Sequence, residues 1–236
     1  MKINTKYRTN LPEIMDDFAL EGETLRVALD KIASINQFLG GNKLTLQGVQ
    51  KILSSVSKTN EIVLIDIGCG NGDMLRTLAE YGKINNWKFK LVGIDANNFT
   101  INYAKNLSSN YDNISYHRQD VFDKPFEELN YDIVLCTLTL HHFNEDEILK
   151  LMNVFYKKCK LGIVINDLHR NSVAYRLFQG LCVVFGLNKM SKEDGLISIL
   201  RGFKKQDFID FSTKLDFKKY TLNWKWAFRY QWIILK

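Results

Sequence analysis

Apolar residues recur along the chain at spacings that predict two N-terminal helices and then a buried strand. Over residues 23–39 they fall three and four positions apart, and after a Gly-Gly pair the pattern resumes over residues 44–56, which is typical of amphipathic helices. Residues 61–68 (EIVLIDIG) are almost continuously apolar, as in parallel strands that are buried on both faces. The glycines after this strand open a third helix, which is predicted to extend to about Tyr81.

Strands and helices then alternate as far as residue 167, and the alternation breaks after it. Regular alternation predicts a doubly wound parallel sheet. Two consecutive aromatic-rich strands at the end of the chain, joined by a short connection, should pair antiparallel. The fold class is therefore α/β, with a Rossmann-like, seven-stranded, mostly parallel sheet that has one antiparallel strand. The further strands are predicted over 89–95, 114–117, 131–137, 161–167, 217–222 and 228–235, the helices over 98–107, 145–157, 173–187 and 204–214, and a loop over 191–202.

Length and composition fit one main domain with an extension. The 236 residues are 46% hydrophobic and 25% charged, with only 2 Pro, and domains usually run to roughly 100–200 residues. We divide the chain into an N-terminal helical extension, residues 1–58, that packs on the core, and a main domain, residues 59–236. The apolar stretch after the fifth strand is expected to form a lid insertion over about residues 170–202.

The charge and the cysteines narrow the class of protein. The net charge of +6 is spread over single or paired basic residues, whereas a nucleic-acid surface has a denser basic patch. No CxxC pair occurs, which argues against a disulfide framework or a zinc site and favours a reducing, cytoplasmic location. No signal-peptide pattern and no apolar run of the roughly 18 residues needed for a membrane span is present. The cysteines are Cys69, Cys136, Cys159 and Cys182.

Acidic residues and glycines follow three successive strands. The first strand-to-helix turn reads DIGCGNG, and in an open parallel sheet this turn holds the ligand. A dinucleotide fingerprint needs a third glycine at position 73, where the chain has Asp73. Asp95 ends the next strand, where a carboxylate can accept both hydroxyls of a ribose, and Asp120 follows the third strand. Three acidic residues at three strand ends indicate a nucleoside-binding site that differs from an NAD site.

The sequence resembles the class I S-adenosylmethionine-dependent methyltransferases over roughly residues 61–236. The resemblance rests on VLIDIGCGNG, the acid of VGID, the acid of RQDV and the strand YDIVLCTLTLHHF. It implies S-adenosylmethionine as cofactor and S-adenosylhomocysteine as product. The residues that it assigns are Asp66, Gly68, Cys69, Gly70 and Asn71 around the methionine part, Asp95 and Ala96 at the ribose, Asp120 and Val121 at the adenine, and Thr137 and Leu138 beside the transferred methyl group.

Three histidines at strand ends are candidates for a general base, because an oxygen or acidic carbon acceptor must lose a proton. His142 is the first candidate, followed by His141 and His169. Helix capping or a position in a surface loop is the alternative role for each. Arg201 is a candidate for holding an acidic hydroxyl or carboxylate of the acceptor, against the alternative of a solvated side chain. No metal is expected.

The expected activity is methylation of a small, partly hydrophobic acceptor of phenolic, quinone-like or polyketide-like character. Oxygen is the first choice of atom and carbon the second. The segments PEIMDDF and DGLISILRGF resemble bacterial small-molecule methyltransferases. Two alternatives stay open: an RNA or protein methyltransferase, and a non-catalytic cofactor-binding scaffold protein. The chain is expected to be a monomer or homodimer.

Overall fold

A seven-stranded sheet forms the centre of the protein. The computed structural model describes residues 3–123 and 129–236. Residues 1–2 of the predicted N-terminal extension and residues 124–128 of the predicted main domain lie outside the described residues. The strands are β1 (Glu61–Ile67), β2 (Lys88–Asp95), β3 (Ile114–Arg118), β4 (Tyr131–Thr137), β5 (Cys159–Leu168), β6 (Tyr220–Lys225) and β7 (Arg229–Leu235).

The strand order confirms the predicted fold class. It is β3-β2-β1-β4-β5-β7-β6. Strands β1 to β5 pair parallel with their neighbours, whereas β7 is antiparallel to both β5 and β6. The chain reverses direction across the sheet between β1 and β4, and the carboxyl ends of these strands open the crevice in which such sheets bind ligands.

Helices cover both faces of the sheet and one end of it. The predicted helices are present, with ends that differ from the prediction by a few residues. They are α1 (Glu23–Phe38), α2 (Gly41–Leu53), α3 (Asp73–Asn85), α4 (Asn98–Leu107), α5 (Glu145–Lys158), α6 (Ser172–Val184), α7 (Lys189–Arg201) and α8 (Lys205–Lys214).

The loop predicted over residues 191–202 is wrong, because α7 occupies this segment. The Asn188 side chain caps the helix by accepting a hydrogen bond from the Ser191 backbone N–H at 2.8 Å. Its buried face is largely polar, so a search for apolar periodicity does not detect it. The polar residues on that face recur at helical spacing: Ser191, Asp194, Ser198 and Arg201.

The C-terminal hairpin pairs antiparallel as predicted, but its first strand begins three residues late, at Tyr220. Phe217 packs in the core before the strand starts, with its ring centroid 5.8 Å from that of Trp232. The alternating aromatic residues of this region therefore divide into two groups. Trp232 is fully buried, whereas Trp224 and Trp226 are exposed.

Helix α2 packs closely on the sheet. A Cβ added to Gly48 would lie 2.5 Å from Val164 Cγ1, so only glycine permits this approach. Val49 and Ile52 share one hydrophobic cluster with Leu64 and Val164 of the sheet. The N-terminal helices thereby contribute to the core of the main domain.

The described helices include none that is long and apolar enough to cross a membrane. All four cysteines are buried and free.

Candidate functional site

A cavity of about 1050 Å³ lies at the carboxyl ends of the central strands. It is bounded by the strand ends on one side and by α1, α6 and α7 on the other. Every residue that the sequence assigned to the cofactor lines it: Asp66, Gly68, Cys69, Gly70, Asn71, Asp95, Ala96, Asp120, Val121, Thr137 and Leu138. The structure thus brings these residues together around one space.

The glycine turn forms one wall of the cavity. Gly68 and Gly70 have φ angles of 66° and 53°, in the left-handed region that favours glycine. A Cβ on Gly68 would lie 2.4 Å from the Thr139 side chain, whereas a Cβ on Gly70 would meet only Leu29, at 3.9 Å. The backbone at Gly70 therefore faces open space, and a ligand can approach it directly.

Asp66 is a buried carboxylate that faces the cavity without a full set of partners. Its Oδ1 has no hydrogen-bond partner among residues 3–123 and 129–236. Burial, together with the nearby Asp73 and Asp95, raises the pKa of Asp66 well above its usual value. An unpaired buried carboxylate destabilises the fold, so this position fits a positively charged ligand group.

Asp95 joins the glycine turn to β2. Its Oδ2 accepts a hydrogen bond from the Gly70 backbone N–H at 3.3 Å, and its Oδ1 accepts one from Asn97 N–H at 3.0 Å. Burial raises the pKa of Asp95 in spite of these two bonds. The carboxylate is held in place beside the turn, with lone pairs still available for ligand hydroxyls.

The third strand end adds a residue that the sequence pattern did not reveal. Asp120 Oδ1 accepts a hydrogen bond from Phe122 N–H at 2.9 Å. Its neighbour Gln119 also lines the cavity, and the buried Gln119 Nε2 has no partner within the described part of the chain. Since glutamine carries no charge and forms no motif here, only the orphaned donor identifies it.

Strand β4 ends in a strained residue at the expected methyl site. Leu138 has a φ angle of 54°, which a residue with a side chain rarely adopts. Its N–H donates to the Asn166 carbonyl at 2.9 Å. This bond fixes the bend that places Leu138 on the cavity wall.

Two stacked histidines follow this bend, and a carboxylate holds each of them. The ring centroids of His141 and His142 lie 4.5 Å apart. His141 Nδ1 is 2.7 Å from Asp167 Oδ1, and His142 Nδ1 is 2.7 Å from Asp16 Oδ1. His141 is buried, whereas the His142 side chain is 28% exposed. His142 is therefore the more accessible of the two, and both line the cavity.

The two partner carboxylates are ionised. Burial acts to raise the pKa of Asp167, but the charge and hydrogen bond of His141 outweigh it and lower that pKa. Burial likewise opposes ionisation of Asp16, but hydrogen bonds from His142 and Arg201 hold its pKa below the usual value. An ionised carboxylate only accepts hydrogen bonds. Each ring therefore donates its Nδ1 proton to its carboxylate, which leaves Nε2 as the nitrogen that exchanges a proton.

Glu13 lies beside the Nε2 atoms of both histidines. Its carboxylate oxygens are 3.7 Å from His141 Nε2 and 4.0 Å from His142 Nε2. The Ser198 hydroxyl donates to Glu13 Oε2 at 2.7 Å, and burial raises the pKa of Glu13. The sequence pattern did not indicate Glu13 or Asp16 as site residues, because both lie in a short N-terminal segment more than a hundred residues from the histidines.

The same three residues could also hold a metal ion. One atom from each of Glu13, His141 and His142 lies within 4.8 Å of the others. The Arg201 Nη1 atom is 3.5 Å from Glu13 Oε1, so positive charge is already present at this cluster. The expectation of no metal stays a prediction.

Arg201 is placed differently from the expectation that it holds the acceptor. It is not among the residues that line the cavity. Its Nη1 lies 2.6 Å from Asp16 Oδ2, while Nε and Nη2 donate to the carbonyls of His141 and His142 at 3.3 and 2.5 Å. Through these bonds Arg201 holds the backbone of the two histidines and the carboxylate of Asp16 in place.

His169 lines the cavity on the opposite side. Its Nδ1 accepts a hydrogen bond from Trp224 Nε1 at 3.2 Å. Burial and the nearby charges of Lys204 and Arg170 lower its pKa to about 4. The ring is therefore neutral near pH 7 with its proton on Nε2, an arrangement suited to donating a hydrogen bond rather than accepting a proton.

Comparison with solved structures identifies proteins of similar fold. The chain is similar to the plantazolicin methyltransferase BpumL in complex with SAH, with a TM-score of 0.67, 15% identity, and coverage of 88% of this chain and 89% of that chain. It is similar to magnesium protoporphyrin IX methyltransferase (ChlM) from Synechocystis PCC 6803 with bound SAM, with a TM-score of 0.56, 13% identity, and coverage of 86% and 83%. The CurJ carbon methyltransferase gives a TM-score of 0.61 and 13% identity, with 81% and 53% covered. At these identities the likeness shows a common fold.

The sequence itself shows the family to which the chain belongs. No curated protein matches the sequence of this chain. A family model described as a methyltransferase domain matches residues 58–213, which is more than half of the chain. The chain therefore belongs to the methyltransferase-domain family, and its fold is that of the class I S-adenosylmethionine-dependent methyltransferases.

Proposed function

We propose that the protein transfers a methyl group from S-adenosylmethionine to a small, partly hydrophobic acceptor, with a phenolic or enolic oxygen as the first choice of atom and carbon as the second. One observation carries this proposal. A single cavity joins the glycine turn and the orphaned Asp66 carboxylate to His142, whose Nδ1 is held by Asp16.

The residues present suit this cofactor. Asp66 would pair with the ammonium group of its methionine part, which is the positive partner that the buried carboxylate lacks. Asp95 would accept the ribose hydroxyls. Asp120 and the orphaned Gln119 amide offer an acceptor and a donor for the edge of the adenine ring. When it is bound, the cofactor supplies a methyl group already activated by its sulfonium charge.

The protein's own contribution is to align the acceptor and to remove its proton. A hydroxyl placed between Leu138 and His142 would lie where the expected methyl site and the base meet. The proton passes from that hydroxyl to His142 Nε2 as the oxygen takes the methyl group, and Asp16 stabilises the imidazolium that results. The acceptor leaves as a methyl ether and the donor as a neutral thioether, so no covalent bond to the protein forms.

His141 and Asp167 are positioning residues. His141 is buried, its ring stacks on His142, and its Nδ1 is fixed by Asp167. The stack limits rotation of the His142 ring. A catalytic group held in this way gives up less motional entropy at the moment of reaction.

The N-terminal extension completes the site. Asp194 of α7 accepts hydrogen bonds from the backbone N–H groups of Ile14 and Met15, at 2.7 and 3.0 Å. These bonds fix the segment that carries Glu13 and Asp16. We therefore assign residues 1–58 to the catalytic unit, with α6 and α7 forming the cover that excludes water from the reacting atoms.

The proposal is tested by incubating the purified protein with S-adenosylmethionine and a panel of simple phenols and quinols, followed by mass analysis. We expect at least one acceptor to gain a single methyl group, and we expect His142→Ala to abolish most of the product. His117→Ala is the matched control, since His117 is exposed and lies outside the cavity. Cofactor binding without product from any acceptor would contradict the proposal and favour the two alternatives, an RNA or protein methyltransferase and a non-catalytic scaffold.

A further inference from the structure

We propose that the acceptor carries an unbranched, uncharged apolar chain, bound in a channel between α1 and α6. The inference rests on the proposed function and extends it to the class of substrate. The apolar channel is the part of the cavity lined by Ile32, Ile35, Leu39, Leu177, Leu181 and Val184.

Helix α6 is the first observation. It is rich in large apolar residues, yet Ala174 and Cys182 are its only buried residues. Leu177 and Val184 are 51% and 79% exposed although both line the cavity. Large apolar side chains on an amphipathic helix normally pack against a partner. The channel is the space that such a partner would fill.

The geometry of this face suits an extended chain. The residues of α6 that line the cavity recur at helical spacing from Ala174 to Val184, which at 1.5 Å per residue makes a face about 15 Å long. Ile32 and Ile35 of α1, and Leu39 directly after it, line the cavity at similar spacing. Two apolar walls bind a linear chain along its length and offer little to a compact polar group.

The two helices meet at one end of the channel. The rings of Phe38 and Phe185 lie in edge contact, with centroids 5.5 Å apart. Lys31 Nζ donates to the Phe185 carbonyl at 2.9 Å. These contacts fix the spacing of the walls.

The channel is poor in charge. Of the residues of α1 and α6 that line the cavity, Lys31 alone is charged, and its ammonium group donates to a backbone carbonyl. Charged groups along an acceptor chain would lose their hydration against the apolar side chains without gaining partners there. We therefore expect a hydrocarbon chain or an alkyl-substituted aromatic group.

The cavity volume leaves room for both molecules. Pockets that bury one drug-sized ligand usually measure about 300–1,000 Å³, and this cavity measures about 1050 Å³. The cofactor residues occupy the strand ends, and the channel lies on the helical side. Cofactor and acceptor chain can thus be bound together.

Gly180 provides a direct test. It lines the cavity, and a Cβ added to it meets no atom within 4 Å. Gly180→Leu would place a large side chain in the channel from a Cβ position that is free of contacts, and replacing a glycine inside a helix favours helix formation. The matched control is Gln179→Leu, because Gln179 is an exposed neighbour that does not line this cavity.

The experiment is calorimetric titration of the protein, saturated with S-adenosylhomocysteine, with 4-methylphenol, 4-butylphenol and 4-octylphenol. We expect the affinity to rise with chain length, by up to about fourfold for each CH₂ group that becomes fully buried. Gly180→Leu should weaken 4-octylphenol binding at least tenfold and leave 4-methylphenol binding unchanged, while Gln179→Leu should match the wild type.

Equal affinity for the three phenols, or equal loss in both variants, would overturn the channel. Tight S-adenosylhomocysteine binding in that case would leave the proposed function standing. Failure of S-adenosylhomocysteine to saturate the protein would instead count against the proposed function, and the phenols titrated alone would still report on the channel.

Discussion

His142 Nδ1 lies 2.7 Å from Asp16 Oδ1, a contact that joins residues 126 positions apart in the sequence. It fixes the tautomer of the histidine that faces the cavity. The proposed catalytic base is thus built from two parts of the chain: the bend after β4 and the N-terminal segment ahead of α1.

Removing either partner should lower turnover without loss of cofactor binding. We expect His142→Ala to reduce kcat by about 10²–10⁴, the usual contribution of a general base. Asp16→Asn should reduce kcat by at least about tenfold, because the amide cannot stabilise the imidazolium as a carboxylate does. Steady-state kinetics and calorimetry with S-adenosylhomocysteine measure the two effects. Unchanged kcat in His142→Ala at every pH would assign this residue to structure.

Asp66→Asn should preserve or raise the stability of the ligand-free protein and weaken cofactor binding. Its buried carboxylate has a raised pKa and an unpartnered oxygen, so Asp66→Asn removes a charge that opposes folding of the free protein. We expect the Tm of the ligand-free variant to equal or exceed that of the wild type. S-adenosylmethionine affinity should fall about 10–100-fold, since a charge-assisted hydrogen bond contributes about 1.5–3 kcal/mol. A lower Tm with unchanged affinity would contradict this assignment.

Cofactor affinity should decline in mildly acidic solution. In the proposed site the cofactor binds the carboxylate forms of Asp66 and Asp95, and burial raises the pKa of both groups. A raised pKa means that protonation starts at a higher pH, so affinity is full above the raised values and is lost as the pH falls through them. The loss should begin well above pH 3.9, the ordinary aspartate value. Calorimetry from pH 8 to pH 5 checks this, and constant affinity over that range would argue against both contacts.

Arg201→Ala should act mainly on stability. The guanidinium contacts Asp16, Glu13 and two backbone carbonyls, and removing one partner of a buried ion pair costs about 3–5 kcal/mol. Urea unfolding should show this loss, whereas Arg176→Ala, at an exposed site on α6, should not. A stable Arg201→Ala protein with a raised KM for an acidic acceptor would restore the substrate-binding role.

The fold was predictable because its signals are local. The central strands are largely apolar runs, as in residues 61–67 and 131–137, and most of the parallel strands are followed by a helical pattern. The acids at the strand ends, such as Asp66 and Asp95, are placed by the same alternation. Residues that line the cavity next to a strand end therefore follow from the sequence.

The N-terminal half of the site was not predictable in this way. Glu13 and Asp16 are held beside the histidines by α7, whose buried face is polar and pairs with the segment before α1. Asp194 and Ser198 have no reason to be buried until Glu13 and its backbone neighbours are placed opposite them. Which residues of each segment are buried depends on contacts with the other segment, so neither carries a pattern that is recognisable alone.

The most direct test of the account is calorimetric titration of the wild type, Asp95→Ala and Asp112→Ala with S-adenosylhomocysteine, with NADH as the comparison ligand. Asp112 is an exposed residue outside the cavity and serves as the matched control. We predict that the wild type and Asp112→Ala bind S-adenosylhomocysteine and not NADH, and that Asp95→Ala binds it at least about tenfold more weakly. Absence of binding to the wild type, or equal affinity in Asp95→Ala, would contradict the account.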